Sequence, residues 1–245
     1  TYPILRTRPA NIVGIFNWNY NAFRNWNKGA SVAENSYDTN VAQVGMSGNL
    51  IDGFYGGALN TASLIGSFGN VGKDAWTQYG QVVGVAGNFA KARYAYNRNQ
   101  AITESLSAYV GVSGQLASRN MDSSEQLYLG GPMNVRAFGS GQGPASQGNL
   151  STVELRQNLP YQTQLVGFYD LGNVQYWKFN TQNVPANDYA MSGYGASIGW
   201  VGPYNFNIKA VWAQRLALSQ AAQNYLSQNG GTSWNRFWIN ASLPF

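Results

Sequence analysis

Cysteine and histidine are both absent from the 245 residues. Without cysteine there is no disulfide, no thiol nucleophile and no thiolate metal site. Without histidine, the commonest metal ligand and the commonest general base are missing. Charge is scarce as well. Asp, Glu, Lys and Arg together make up 10% of the chain, against about 25% in soluble domains. Long apolar runs are also missing: no stretch approaches about 18 consecutive apolar residues, so no segment reads as a membrane-crossing helix. Thr1 opens the chain with neither a start methionine nor a signal-peptide pattern, which reads as a processed product or a fragment.

What is present must be reconciled with those absences. There are 29 Gly, 16 Tyr and 8 Trp, with abundant Asn, Gln, Ser and Thr. Mean hydropathy is −0.29, so the chain is neither greasy nor highly charged. A transmembrane antiparallel β-barrel accounts for all of this. Its outside is apolar, aromatic girdles ring both interfaces, and its lumen is polar. A soluble β-sandwich or β-solenoid is the bland alternative. Net charge is +5 with a pI near 9.4, but Lys91, Arg93, Arg156, Lys209, Arg215 and Arg236 are dispersed along predicted strands. No dense basic patch points to nucleic acid, and a solvated or lumen-facing distribution fits better.

Membrane strands show period-2 alternation over about ten residues, separated by turn residues. Ten such segments are read here, and the fold class is all-β. The first five run over 11–23, 41–51, 55–68, 80–96 and 102–116. The fifth alternates best, with Val110, Val112 and Leu116 outward and Ser107, Ser113 and Gln115 inward. The second five run over 150–159, 161–176, 189–200, 204–215 and 234–245. Residues 24–40 are polar without alternation and read as a surface loop. A short helix is expected around 219–225. Asn205, Asn207, Lys209 and Arg215 are placed on the inner face, and Lys91, Arg93, Glu154 and Arg156 likewise face the lumen.

The two halves are joined by a long loop, about 117–148. Structureless loops beyond about 12–15 residues are usually functional or disordered. It carries Leu129-Gly130-Gly131-Pro132-Met133-Asn134-Val135-Arg136-Ala137-Phe138. A glycine-rich phosphate cradle would need Gly-Lys-Ser/Thr and a following helix, and both are missing. Arg136 sits among glycines beside Phe138, and desolvating a guanidinium unpaired costs several kcal/mol. The nearest downstream acids are Glu154 and Asp170. Asp170 falls on the inward parity of its segment with Phe168, so a loop folded back into the barrel brings Arg136 to it. Asp170 could instead cap a strand end or pair with Arg156 or Lys209.

The combination Leu-Gly-Gly-x-x-x-Val-Arg-Ala-Phe with Phe168-Tyr169-Asp170-Leu171-Gly172 resembles the Omp85 superfamily. More narrowly it resembles the TpsB transporters of two-partner secretion, which export haemolysins and filamentous haemagglutinins. Tyr2-Pro3-Ile4-Leu5-Arg6-Thr7-Arg8, Gly87-Asn88-Phe89-Ala90-Lys91, Ser123-Ser124-Glu125-Gln126 and Arg236-Phe237-Trp238 extend the likeness over nearly the whole chain. The resemblance implies an outer-membrane barrel in residues 1–245, similar to the last ten strands of a sixteen-stranded relative. The first strands, a plug helix and two POTRA domains are expected to be absent from this chain. It also implies a loop folded into the lumen and locked by Arg136 on Asp170, with Val135, Ala137, Phe138, Phe168 and Gly172 completing the lock. The departures are Ala137 where relatives carry Gly, Gln142 for a common Glu, and Ala145-Ser146-Gln147-Gly148 for an acidic stretch. Phe245, an aromatic end to an alternating strand, resembles the signal read by the barrel-assembly machinery.

The implied function is export of a large exoprotein of the haemolysin or adhesin type by two-partner (type Vb) secretion. Its partners would be a secreted TpsA-type exoprotein, outer-membrane lipid and lipopolysaccharide, and the assembly machinery, with no nucleic acid, cofactor or metal. The alternatives are an assembly factor of the Omp85 type and a reduced passive pore. An enzyme barrel would need a serine nucleophile working without histidine, and no catalytic residue is assigned.

Overall fold

A strand with lipid on one face and water on the other must alternate. It must also find hydrogen-bonded neighbours, because lipid offers no partners to a bare backbone edge. The computed structural model describes residues 1–25, 35–72, 83–228, 231 and 233–243. Its strands are β1 (Tyr2–Arg6), β2 (Ala10–Asn25), β3 (Asn35–Asp52), β4 (Ala58–Val71), β5 (Gly87–Ala101) and β6 (Leu106–Ala117). After β6 come two short strands, β7 (Leu127–Tyr128) and β8 (Pro144–Ala145). The series ends with β9 (Gln147–Leu159), β10 (Thr163–Gln175), β11 (Asp188–Val201), β12 (Asn207–Arg215) and β13 (Asn235–Ser242). A helix, α1 (Gln220–Gln228), precedes β13.

Eleven strands form one antiparallel sheet in the order β1-β2-β3-β4-β5-β6-β9-β10-β11-β12-β13, while β7 and β8 pair with each other alone. Only the long loop interrupts the up-and-down order, so β6 pairs directly with β9, from Leu106↔Gln157 to Gln115↔Gly148. The sheet has the up-and-down strand order of a β-barrel wall, with β1 and β13 at its ends.

Alternation is visible in the exposures. Phe16, Trp18 and Tyr20 on β2, Val44 and Met46 on β3, Val153 and Leu155 on β9, and Phe237 and Ile239 on β13 are exposed. Their neighbours of opposite parity on β5 to β12 are buried: Lys91, Gln115, Glu154, Asp170, Ser197 and Arg215. No helix among the described residues is long and apolar enough to cross a membrane.

The structure corrects the expected boundaries. About ten strands were expected, and among the described residues the sheet has eleven; the added one is Tyr2–Arg6, which pairs with β2 from Tyr2↔Gly14 to Arg6↔Asn11, with a register shift between Pro3 and Leu5. The polar stretch read as a loop over 24–40 is largely strand, since β2 runs to Asn25 and β3 starts at Asn35. Residues 26–34 and 73–82 lie outside those described. At 16 and 18 residues, β2 and β3 exceed the ~9–11 that a bilayer requires. At the far end of β3, Tyr37 and Thr39 are buried between exposed neighbours, so the ladder continues there without apolar residues at every second position. Segments three and nine start late because 3-10 turns at Phe54–Gly56 and Pro203–Asn205 precede them. Asn205 is therefore a turn residue and not lumen-facing.

The buried apolar side chains lie on the concave side, between wall and loop. Leu129, Val135, Phe138 and Ala145 of the loop pack with Phe168, Met191, Val211 and Ala213 of the wall and with Ala222 and Leu226 of α1. This core seats the loop on β10 to β12.

The facing assignment has a direct test. Phe16→Arg is expected to lower unfolding stability in phospholipid bilayers by roughly 2–4 kcal/mol, whereas the inward neighbour Asn17→Arg changes it by less than about 1 kcal/mol. Urea titration of the two variants measures this, and equal losses contradict the assignment.

Candidate functional site

The site is built from a tightly turned loop laid on the inner wall. Its root is the β7–β8 pair, Leu127↔Ala145 and Tyr128↔Pro144. Above the root the chain turns on itself. The Val135 amide donates to the Leu129 carbonyl at 2.8 Å, Gly131 to Phe138 at 3.0 Å, and Phe138 to Val135 at 3.0 Å. The Gly139 amide donates to Gln142 Oε1 at 2.6 Å. These bonds satisfy backbone groups that burial would otherwise leave unpaired.

On the wall, Glu154 of β9 and Phe168 of β10 are cross-strand partners, as are Thr152 and Asp170. All four share the inner face. Arg136 reaches into this square. Its Nε donates to Asp170 Oδ2 at 2.9 Å and its Nη2 to Oδ1 at 2.7 Å, a bidentate fork. The Arg136 backbone amide adds a third bond to Oδ2 at 3.0 Å, and Thr152 Oγ1 donates to Oδ1 at 2.9 Å. Asp170 is wholly buried, and four donors answer its charge. Arg136 Nη1 donates to Glu154 Oε1 at 2.7 Å. The guanidinium lies 3.4 Å from the Phe168 ring centroid, where the ring face attracts a cation. Burial works against the charge on Arg136, but the Asp170 and Glu154 carboxylates outweigh it and hold the pKa above the ordinary arginine value.

Close approach of loop and wall depends on two glycines. A Cβ on Gly172 would sit 2.8 Å from Leu129 and 3.1 Å from Val135, and one on Gly193 would sit 2.5 Å from Ala137. Val135, Ala137 and Phe138 are buried in that seam. Trp238 of β13 donates from Nε1 to the Arg136 carbonyl at 2.8 Å, so the last described strand also holds the loop.

The remaining lumen residues fall into three places. Arg156 joins the Arg136 cluster: it pairs with Glu154 Oε2 at 2.6 Å, and its guanidinium lies 4.1 Å from the Tyr109 ring centroid. Lys91 and Arg93 form a separate clamp at the loop root. Lys91 Nζ lies 2.5 Å from Glu125 Oε2 and donates to the Glu125 carbonyl at 2.9 Å. Arg93 Nε donates to Gln115 Oε1 at 2.7 Å, and Gln115 Nε2 donates to the Glu125 carbonyl at 3.1 Å. Lys209 of β12 instead lines a cavity of about 530 Å³ beneath the loop tip, with Arg136, Glu154 and Arg156. Phe245 lies outside the described residues.

Sequence reasoning did not assign functional places to Thr152, Trp238, Gln115 and Glu125. The inward parity of Thr152 and Trp238 was the available signal. For Glu125 nothing short of the folded loop reveals a partner. Chemically the site holds charge against charge, and among the described residues no cluster of acidic side chains is able to hold a metal ion.

The root clamp generates a prediction. Lys91→Met leaves the Glu125 carboxylate buried without its cation and is expected to cost about 3–5 kcal/mol. Adding Glu125→Leu is expected to restore much of that loss in denaturant titrations. Strict additivity of the two substitutions contradicts the clamp.

No family model matches the chain. The heme/hemopexin transporter protein HuxB of Haemophilus influenzae is 31% identical over 129 residues, covering 49% of this chain and 23% of that protein. HuxB of H. influenzae strain 86-028NP is 29% identical over 130 residues, with the same coverage. Among solved structures, CdiB from Escherichia coli superposes with a TM-score of 0.76 at 13% identity, covering 98% of this chain and 43% of that one. CdiB from Acinetobacter baumannii gives 0.67 at 15% identity, covering 97% and 39%. The chain thus spans less than half the length of these structures, and its matched stretch spans under a quarter of HuxB. The chain is thus similar in sequence to HuxB over about half of its length and similar in fold to the CdiB structures over nearly all of it.

Proposed function

We propose that this chain forms the wall and loop lock of an outer-membrane translocation pore. It would export a large exoprotein of the haemolysin or adhesin type in two-partner secretion, with a TpsA-type exoprotein as cargo. Residues 1–245 act as one barrel unit, embedded in outer-membrane lipid and lipopolysaccharide after insertion by the barrel-assembly machinery.

The observation that carries this reading is the buried fork of Arg136 on Asp170, which fixes a lumen-filling loop to the wall. A passive pore gains nothing from desolvating a guanidinium and two carboxylates, since buried ion pairs are weak contributors to net stability. Such a pair suits a latch, because removing either partner strands the other. The relatives are transporters by name, which supports a transport role over catalysis.

Arg136→Ala and Asp170→Ala are each expected to loosen the loop by about 3–5 kcal/mol, while the double variant adds little to either. Single-channel recording in planar bilayers reads this as larger and more frequent current fluctuations. Secretion of the co-expressed exoprotein is expected to fall in both single variants. Steady current independent of Arg136 favours a passive pore instead, and fully additive effects remove the latch.

A further inference from the structure

Lys209 is a cation of the cavity beside Arg136 that the Arg136 cluster leaves over. Both Glu154 oxygens are engaged, Oε1 by Arg136 and Oε2 by Arg156. Asp170 is sealed under Arg136. Among the described residues, Lys209 makes no ion pair with any carboxylate. Its position is also distinctive. Lys209 and Gln164 line the cavity of about 530 Å³ under the loop tip, and they also line a second cavity of about 770 Å³. The second cavity lies at the short-turn end of β9 to β13, between Asn158 and Gln162 on one side and Asn240 and Ser242 on the other. Short turns mark the periplasmic side of such barrels. Lys209 therefore stands where a path from the periplasmic mouth reaches the lock.

We propose that Lys209, with Arg156 and Gln164, forms an acceptor site for carboxylate side chains of an extended polypeptide entering from that mouth. This rests on the translocation reading and names the chemistry that the pore recognises. The first cavity is lined by Arg136, Arg156 and Lys209 with Glu154, and Asp170 behind Arg136 answers a second charge, so one positive charge is left over to face an arriving segment. Gln164 supplies an amide that can donate to a second carboxylate oxygen. An acidic side chain held there stands beside the Glu154–Arg136 pair and competes for Arg136. The lumen thereby couples the arrival of cargo to weakening of the lock, and acidic stretches of the cargo are what it reads.

The test separates this site from the pore. A fluorescent oligo-glutamate peptide is titrated against the whole protein in detergent, where no ion current is needed, with oligo-serine and oligo-lysine peptides as controls. Fluorescence anisotropy is expected to show preferential binding of oligo-glutamate that weakens with added salt. Lys209→Gln is expected to lower oligo-glutamate affinity about fivefold, Lys209→Arg to retain it, and Lys209→Glu to shift preference towards oligo-lysine. Equal binding of oligo-glutamate by the wild type, Lys209→Gln and Lys209→Glu overturns the proposal. Bilayer recording on the same preparations reports the pore itself. An absent current removes the translocation reading, whatever the peptide affinities.

Discussion

A guanidinium buried on the inner wall of a barrel sets the terms for everything around it. Arg136 cannot lie there unpaired, because an uncompensated buried charge costs several kcal/mol. Two carboxylates and an aromatic face must converge on it, and they come from adjacent strands held in one register. A slip of one residue between β9 and β10 would turn Asp170 or Glu154 towards lipid. The ladder from Thr163↔Leu159 to Gln175↔Gln147 is unbroken, and it fixes those side chains on one face. The loop must then bring Arg136 within hydrogen-bond distance, which requires a wall without a Cβ at Gly172 and Gly193. Lock, register and glycine placement are one constraint seen from three sides.

Much of the barrel was legible because lipid imposes a simple rule. Leu106 to Leu116 alternates so cleanly that both facing and strand follow from the residues alone. The rule fails where lipid ends. Asn35 to Asn40 is strand with Tyr37 and Thr39 buried, yet polar residues fill both faces, so the sequence alone shows no apolar parity there. Tyr2–Arg6 was read as part of a family likeness and not as a strand. Five residues with a proline and a register shift give too short a pattern to score. Tyr55 and Tyr204 look like strand aromatics but occupy left-handed turn positions at φ 44° and 57°. That conformation costs an aromatic residue energy and is chosen by the hairpin as a whole.

The site was legible to a different depth. Arg136 and Asp170 stand out through motif and parity. The part played by Glu154 does not, because parity says only that it faces inward. Its bridging of Arg136 and Arg156 depends on the loop descending far enough to meet β9, a three-dimensional fact. Glu125 and Lys91 are 34 positions apart in sequence, and nothing local links them. The loop's polar carbonyls at Glu125 and Gln126 find donors in Lys91, Gln115 and Arg93. Such matching of buried groups is enforced by the cost of leaving them bare.

The charge pair is also not the only thing holding the loop. Leu129, Val135 and Phe138 are buried against Phe168, Met191 and Val211, and each large apolar side chain buried contributes about 1.5–3 kcal/mol. Lys91 and Glu125 hold the root independently of the tip. Breaking the Arg136 fork therefore leaves the apolar seam and the root clamp in place. Wholesale expulsion of the loop would require all three to fail together. The segment between β7 and β8 carries both the fork and the apolar seam, so lifting it off the wall breaks both, while the Lys91–Glu125 clamp holds the root to β5. Loss of the charge pair alone therefore leaves that segment seated by its apolar contacts.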